Sequence, residues 1–165
     1  MNTSKALSWT IVLLWMALIF GFSHQPATVS SGMSSGITET ILTAISQISS
    51  EASIDTDALH TFVRKNAHFF VYLILGVLVF RALRKGDVRG YREAIAALAI
   101  CALYAMSDEF HQLFIPGRSG ELRDVFIDST GAFVGIGLAL GLNEWRKAKN
   151  WAGTKTRTRT QEVGR

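Results

Sequence analysis

Between Tyr104 and Gly135 the chain reads YAMSDEFHQLFIPGRSGELRDVFIDSTGAFVG, with Asp108, Glu109, His111, Gln112, Arg118, Asp124 and Asp128 in quick succession. A second polar group, Arg64, Lys65, His68 and Tyr72, opens the otherwise apolar stretch RKNAHFFVYLILG. Imidazoles and carboxylates together are ligands for a divalent ion. A histidine beside carboxylates can also act as a general base, its ordinary pKa being near neutrality. The cations Arg64, Lys65 and Arg118 suit a phosphate or carboxylate headgroup, whose hydroxyl or amide groups the carboxylates could bind. No H-E-x-x-H metal motif and no G-x-S-x-G nucleophile motif accompanies them. No cofactor is therefore predicted; a divalent metal and catalysis both stay open. The rival reading is an ion-pair network that only braces the fold.

Spacing groups these residues. Arg64, His68 and Tyr72 recur every fourth residue and share one helical face, with Lys65 to one side. Asp108, His111 and Gln112 stand at i, i+3 and i+4, again one face, and Glu109 lies about 100° round from Asp108. Pro116-Gly117 predicts a tight turn, Pro fixing φ and Gly tolerating positive φ. A connection this short makes the flanking helices antiparallel neighbours. Asp124 is an N-cap candidate for the next helix, and Asp128 lies one turn deeper, roughly 6 Å.

The elements that must carry these groups are apolar. The chain has 165 residues, 48% of them hydrophobic, and its mean hydropathy is +0.24. Leu7–Phe22, Ala67–Leu83, Ala94–Met106 and Val125–Leu142 approach the roughly 17–25 residues of a membrane-spanning helix. Ala94–Met106 is too short alone and must extend through Phe110, carrying Asp108 and Glu109 with it. A soluble bundle helix keeps a polar stripe, and Ile11–Gly21 and Val125–Leu142 show little of one. The fold predicted is all-α, an integral membrane bundle of four transmembrane helices at about 6–23, 67–84, 93–112 and 124–142. A basic residue and an apolar run precede GFSHQPA, but no A-x-A-like cleavage site follows, so the first helix reads as retained. The single cysteine, Cys101, has no partner and reads as a packing residue. Gly131-x-x-x-Gly135 and Gly137-x-x-x-Gly141 predict close helix approach, within the bundle or in a dimer.

Charge predicts orientation. Arg81, Arg84, Lys85, Arg89 and Arg92 link the second and third segments, and Arg146, Lys147, Lys149, Lys155, Arg157, Arg159 and Arg165 follow the fourth. Cytoplasmic connections concentrate Lys and Arg, so both termini read as cytoplasmic and the polar groups gather at the opposite face. The basic tail is explained by topology and needs no nucleic acid. In the connection after the first helix, Ile37, Ile41, Ile45 and Ile48 suggest a short amphipathic helix on the membrane surface. Asp55-Thr56-Asp57 offers caps for the helix leading into the second segment. Residues 1–149 thus read as the membrane domain and 150–165 as a basic, disordered cytoplasmic tail.

The stretches FGFSHQP, RKNAHFFVYLILGVL, SDEFHQLFIPGRS and DVFIDSTGAFVG resemble the VanZ-like family of small bacterial membrane proteins. The resemblance covers Phe20–Pro26 and Arg64–Gly135, with Asp128 where many members carry Asn. It implies a multi-pass protein of the bacterial cytoplasmic (inner) membrane. The family is named for a protein associated with low-level teicoplanin resistance, so the implied partners are membrane lipids and a lipid-linked envelope precursor or glycopeptide. The motif residues Lys65, His68, Tyr72, Asp108, Glu109, Gln112, Arg118, Asp124 and Asp128 carry over as site candidates. Arg64 is added for its charge and His111 from the shared helical face. The readings of function left open are binding or processing of an envelope molecule, a hydrolase or transferase acting on a lipid phosphate, and a non-catalytic interaction module.

Overall fold

In the computed structural model the described residues are 3–26, 28–29, 32, 35–36, 38–40, 43, 55–85 and 91–163. Four long helices form among them: α1 Thr3–Ser23, α2 Thr56–Arg84, α3 Tyr91–Gln112 and α4 Leu122–Val163. All four are long and apolar enough to cross a membrane. The expected amphipathic helix at Ile37, Ile41, Ile45 and Ile48 lies on positions outside the described residues.

The surface is that of a bundle solvated by lipid. Leu13, Leu14, Phe70, Leu103, Phe110, Phe126 and Phe133 are exposed, whereas Glu93, Asp108, Glu109, Gln112 and Asp128 are buried. In water that distribution would be strongly unfavourable, because large apolar side chains would face solvent while charges lost theirs.

The interior is a set of narrow stripes. On α2 it is Tyr72, Leu75, Val79 and Ala82; on α3 Ala97, Cys101 and Ala105; on α4 Ala132, Ile136 and Ala139. Small residues on α3 and α4 let the axes approach. α2 and α4 meet most closely, where a Cβ on Gly131 or Gly135 would run into the carbonyls of Phe69 and Leu73. Gly131 and Gly135 thus stand on the face of α4 turned toward α2. Gly137 and Gly141, expected to do the same, face open space; they fall on the outer side of α4, away from the Gly131–Gly135 face.

α1 lies against this core through polar contacts as well as apolar ones. Trp15 Nε1 donates to the Val71 carbonyl at 3.0 Å, and Tyr104 Oη donates to the Met16 carbonyl at 2.6 Å. Lys85 Nζ reaches Ser8 Oγ at 2.7 Å, so the start of α1 and the end of α2 share one end of the bundle. The other end holds the α3–α4 turn and the polar residues.

Two helix starts differ in their capping. Asp55 Oδ1 accepts from the Ala58 amide at 3.3 Å, the cap the sequence suggested for α2. Asp124 does not cap α4. That helix begins at Leu122, which places Asp124 in its first turn, where its carboxylate takes Lys65 at 2.7 Å. α4 also continues beyond Leu142 to Val163, through the basic segment expected as a disordered tail. Neither Pro nor Gly interrupts it between Leu142 and Ala152, and Lys147 pairs with Glu144 one turn back at 2.6 Å.

Candidate functional site

The polar site is where three apolar stripes run into charged residues. Tyr72 continues upward into His68 on α2, Ala105 into Asp108, Glu109 and Gln112 on α3, and Ala132 into Asp128 on α4. A helix buried through its middle keeps the same face buried one turn further, so these groups are carried into the interior by their register. The turn closing α3 onto α4 is the predicted one: the Arg118 amide bonds the Ile115 carbonyl at 3.1 Å, and Gly117 has φ 76°, as a type II turn requires.

Two layers can be distinguished. The outer layer is saturated. Lys65 Nζ contacts Asp124 Oδ1 at 2.7 Å and Glu121 Oε2 at 3.3 Å. Arg118 Nε donates to the Gln25 carbonyl at 2.9 Å, Nη2 to the Phe22 carbonyl at 3.1 Å and Nη1 to Gln112 Oε1 at 3.2 Å. Arg118 therefore closes the C-terminus of α1, whose last carbonyls have no helical partner. Burial lowers its pKa from the ordinary guanidinium value, and the Arg64 charge beside it adds to the effect. Among the described residues Arg64 shows no ion pair.

The inner layer is different. Ser23 Oγ donates to Asp108 Oδ2 at 2.7 Å. Gln112 Nε2 lies 3.1 Å from Glu109 Oε1 and 3.4 Å from Asp108 Oδ2, and Glu109 Oε2 accepts the Glu121 amide at 3.0 Å. His68 Nδ1 stands 3.6 Å from Asp128 Oδ1, beyond hydrogen-bond length. Among the described residues, both oxygens of Asp128, Oδ1 of Asp108 and the Tyr72 hydroxyl are buried with no hydrogen-bond partner. Asp128 and Tyr72 are 0% exposed. Buried polar groups are nearly always satisfied, and these four unpartnered atoms set the inner layer apart from the engaged Lys65 and Arg118.

His111 is not part of that layer. Its Nε2 lies 3.1 Å from His24 Nδ1, and its ring packs on Phe20 with centroids 4.5 Å apart. The end of α1 passes beside the last turn of α3 and draws the ring outward, although His111 and Asp108 are only three residues apart. Ser23 and Glu121, by contrast, take part in the network without having been singled out by spacing. Ser23 stands within FGFSHQP, one of the four stretches that carried the family resemblance. A groove of about 580 Å³ lies beside Lys65, lined by Asp55, Ala58, Thr61, Phe62, Arg123 and Ile127 as well.

The model of the family described as VanZ/LLP1 matches residues 8–143. The chain belongs to the VanZ-like family. The match takes in all four membrane helices up to Leu142 and every polar residue of the site. With four apolar helices, this VanZ-like chain is a multi-pass membrane protein. No curated protein and no solved structure shows a significant match.

Proposed function

We propose that this VanZ-like protein binds the polar headgroup of a cell-envelope molecule at the turn end of its bundle. The observation that supports it is Asp128, fully buried, with no hydrogen-bond partner for either oxygen among the described residues and only the His68 ring nearby, at 3.6 Å. Ionisable groups inside membrane segments commonly line a site, and a structural brace would pair its acceptors. The headgroup reading expected Arg64, Lys65 and Arg118 to grip an anion. Lys65 and Arg118 already hold protein acceptors, so Arg64, and Arg123 which lines the groove, are the cations left in this region for a phosphate. The inner acceptors call for the opposite partner, a group rich in hydroxyl, amide or ammonium donors. A lipid-linked cell-wall precursor or a lipoglycopeptide presents both chemistries together.

The topology inferred from the basic connections supports an outward-facing site in a bacterial inner membrane, with cytoplasmic termini. A contribution to teicoplanin resistance would follow if the same site recognises the drug or its target. The test is native mass spectrometry of the gently purified protein, wild type beside Asp128→Asn and Asp108→Asn. A phosphorylated lipid carried by the wild type and lost from both variants, at unchanged membrane abundance, supports the reading. Folded wild type carrying no specific lipid, or variants lost from the membrane altogether, would favour an ion-pair brace.

A further inference from the structure

We propose that His68, Glu109 and Asp128 bind a first-row divalent cation of the zinc or manganese type. The inference deepens the headgroup reading and rests on the same cluster being a site. One donor atom from each of the three residues falls within a span of 4.8 Å. The donors come from three different helices, α2, α3 and α4, so bundle assembly creates the arrangement and no single helix could.

The donor chemistry decides the class of ion. One imidazole nitrogen and two carboxylates suit Zn²⁺ or Mn²⁺, whereas Cu⁺ and iron–sulfur clusters need thiolate or thioether ligands. Cys101, the chain's one thiol, lies two turns below Asp108 on α3, in the apolar core. Three protein donors are also the set that leaves a coordination position for water or a ligand oxygen.

Charge balance points the same way. Among the described residues, Asp108, Glu109 and Asp128 share the inner layer with no Lys or Arg in direct contact. Arg118 reaches it only through Gln112, and Lys65 is held by Asp124 and Glu121. Buried carboxylates are tolerated when they are paired or ligate a metal. The bare Asp108 Oδ1 and Tyr72 hydroxyl supply partners beyond the three ligands: an acceptor for a metal-bound water and a donor to an incoming oxygen. The His24–His111 pair offers no such setting, being exposed and without a carboxylate at hydrogen-bond distance. A metal in the inner layer would give the proposed headgroup a phosphate-binding centre that the occupied Lys65 and Arg118 cannot provide.

The test uses the full chain without a histidine tag, purified in mild detergent without chelator. Metal content is measured by mass spectrometry. The protein is then stripped with a chelator and titrated with Co²⁺, whose visible absorption reports coordination, with Zn²⁺ as competitor. The expected result is stoichiometric metal as purified, and Co²⁺ bands that Zn²⁺ abolishes. His68→Ala and Asp128→Asn should weaken Co²⁺ binding by at least the 10–100-fold that outer-shell changes alone cause. Glu144→Gln, on α4 about four turns from Asp128, should leave it unchanged. Stripped wild type that develops no bands, and holds no metal as purified, overturns the proposal even if both variants fail to fold. Lipid retained by such a protein would leave the headgroup reading standing. Metal bound without any lipid would sustain the metal site and overturn that reading.

Discussion

Ser23 Oγ donates to Asp108 Oδ2 across 2.7 Å and 85 residues of sequence, tying the end of α1 to the buried carboxylate of α3. Without that hydroxyl, Asp108 Oδ2 would retain only the 3.4 Å contact from Gln112, and its Oδ1 is already bare. Ser23→Ala should therefore destabilise the bundle by about 1–3 kcal/mol, the penalty of leaving a buried acceptor unsatisfied. Ser23→Thr, which keeps the donor, should recover most of the loss. Thermal unfolding in detergent measures both. Equal melting of Ser23→Ala and wild type would mean that water or a proton already serves Asp108.

The glycines of α4 make a paired prediction. An added methyl at Gly135 meets the Leu73 carbonyl and Cα of α2, both backbone atoms that cannot move alone. Gly135→Ala should cost about 1–3 kcal/mol by overpacking. Gly137→Ala meets nothing and should be neutral or stabilising by roughly 0.5–1 kcal/mol through helix propensity. The two variants can be compared by denaturation in the same micelle. If Gly137→Ala were the more harmful, the outer face of α4 would be a contact surface with another chain.

These contrasts show what was legible before any coordinates. The turn at Pro116-Gly117 and the cap at Asp55 are local, set by residues within four positions of one another, and both read correctly. The convergence of His68 with Asp128 is accessible from sequence because period and topology place His68 one turn beyond Arg64 and Asp128 one turn beyond Asp124, at the same end of the bundle. Ser23 and Glu121 were not, since a side-chain contact spanning 85 residues depends on how α1 leans on α3. Spacing also put His111 on the Asp108 face without knowing that Phe20 and His24 would claim its ring. From sequence Asp124 reads as a cap, because Asp is among the residues preferred at a helix start. Starting α4 at Leu122 frees that carboxylate for Lys65.

Lys65, in the third turn of α2, and Asp124, in the first turn of α4, hold the two helices together at 2.7 Å, each side chain 17% exposed. Solvent screening limits such a pair, so a double-mutant cycle with Lys65→Met and Asp124→Asn should give a coupling of only about 0.2–1 kcal/mol. The coupling should fall as salt is raised. A salt-independent coupling of several kcal/mol would place the pair inside the dry part of the bundle.

Arg118 spreads three nitrogens over three acceptors, the carbonyls of Phe22 and Gln25 and Oε1 of Gln112. A guanidinium offers these donors in a rigid fork, which a lysine ammonium on a flexible stem cannot reproduce. Arg118→Lys keeps the charge yet must release at least one carbonyl at the end of α1, at a cost of about 1–3 kcal/mol. The loss should be local. Hydrogen exchange should rise at the amides of residues 20–25, where the end of α1 loses its clasp, while amides in the middle of α2 and α4 keep their protection. Because Gln112 also orients toward Glu109 at 3.1 Å, loosening Arg118 should weaken whatever the inner carboxylates bind. Unchanged exchange at 20–25 in Arg118→Lys would show that charge alone, not the fork, holds α1 against the turn.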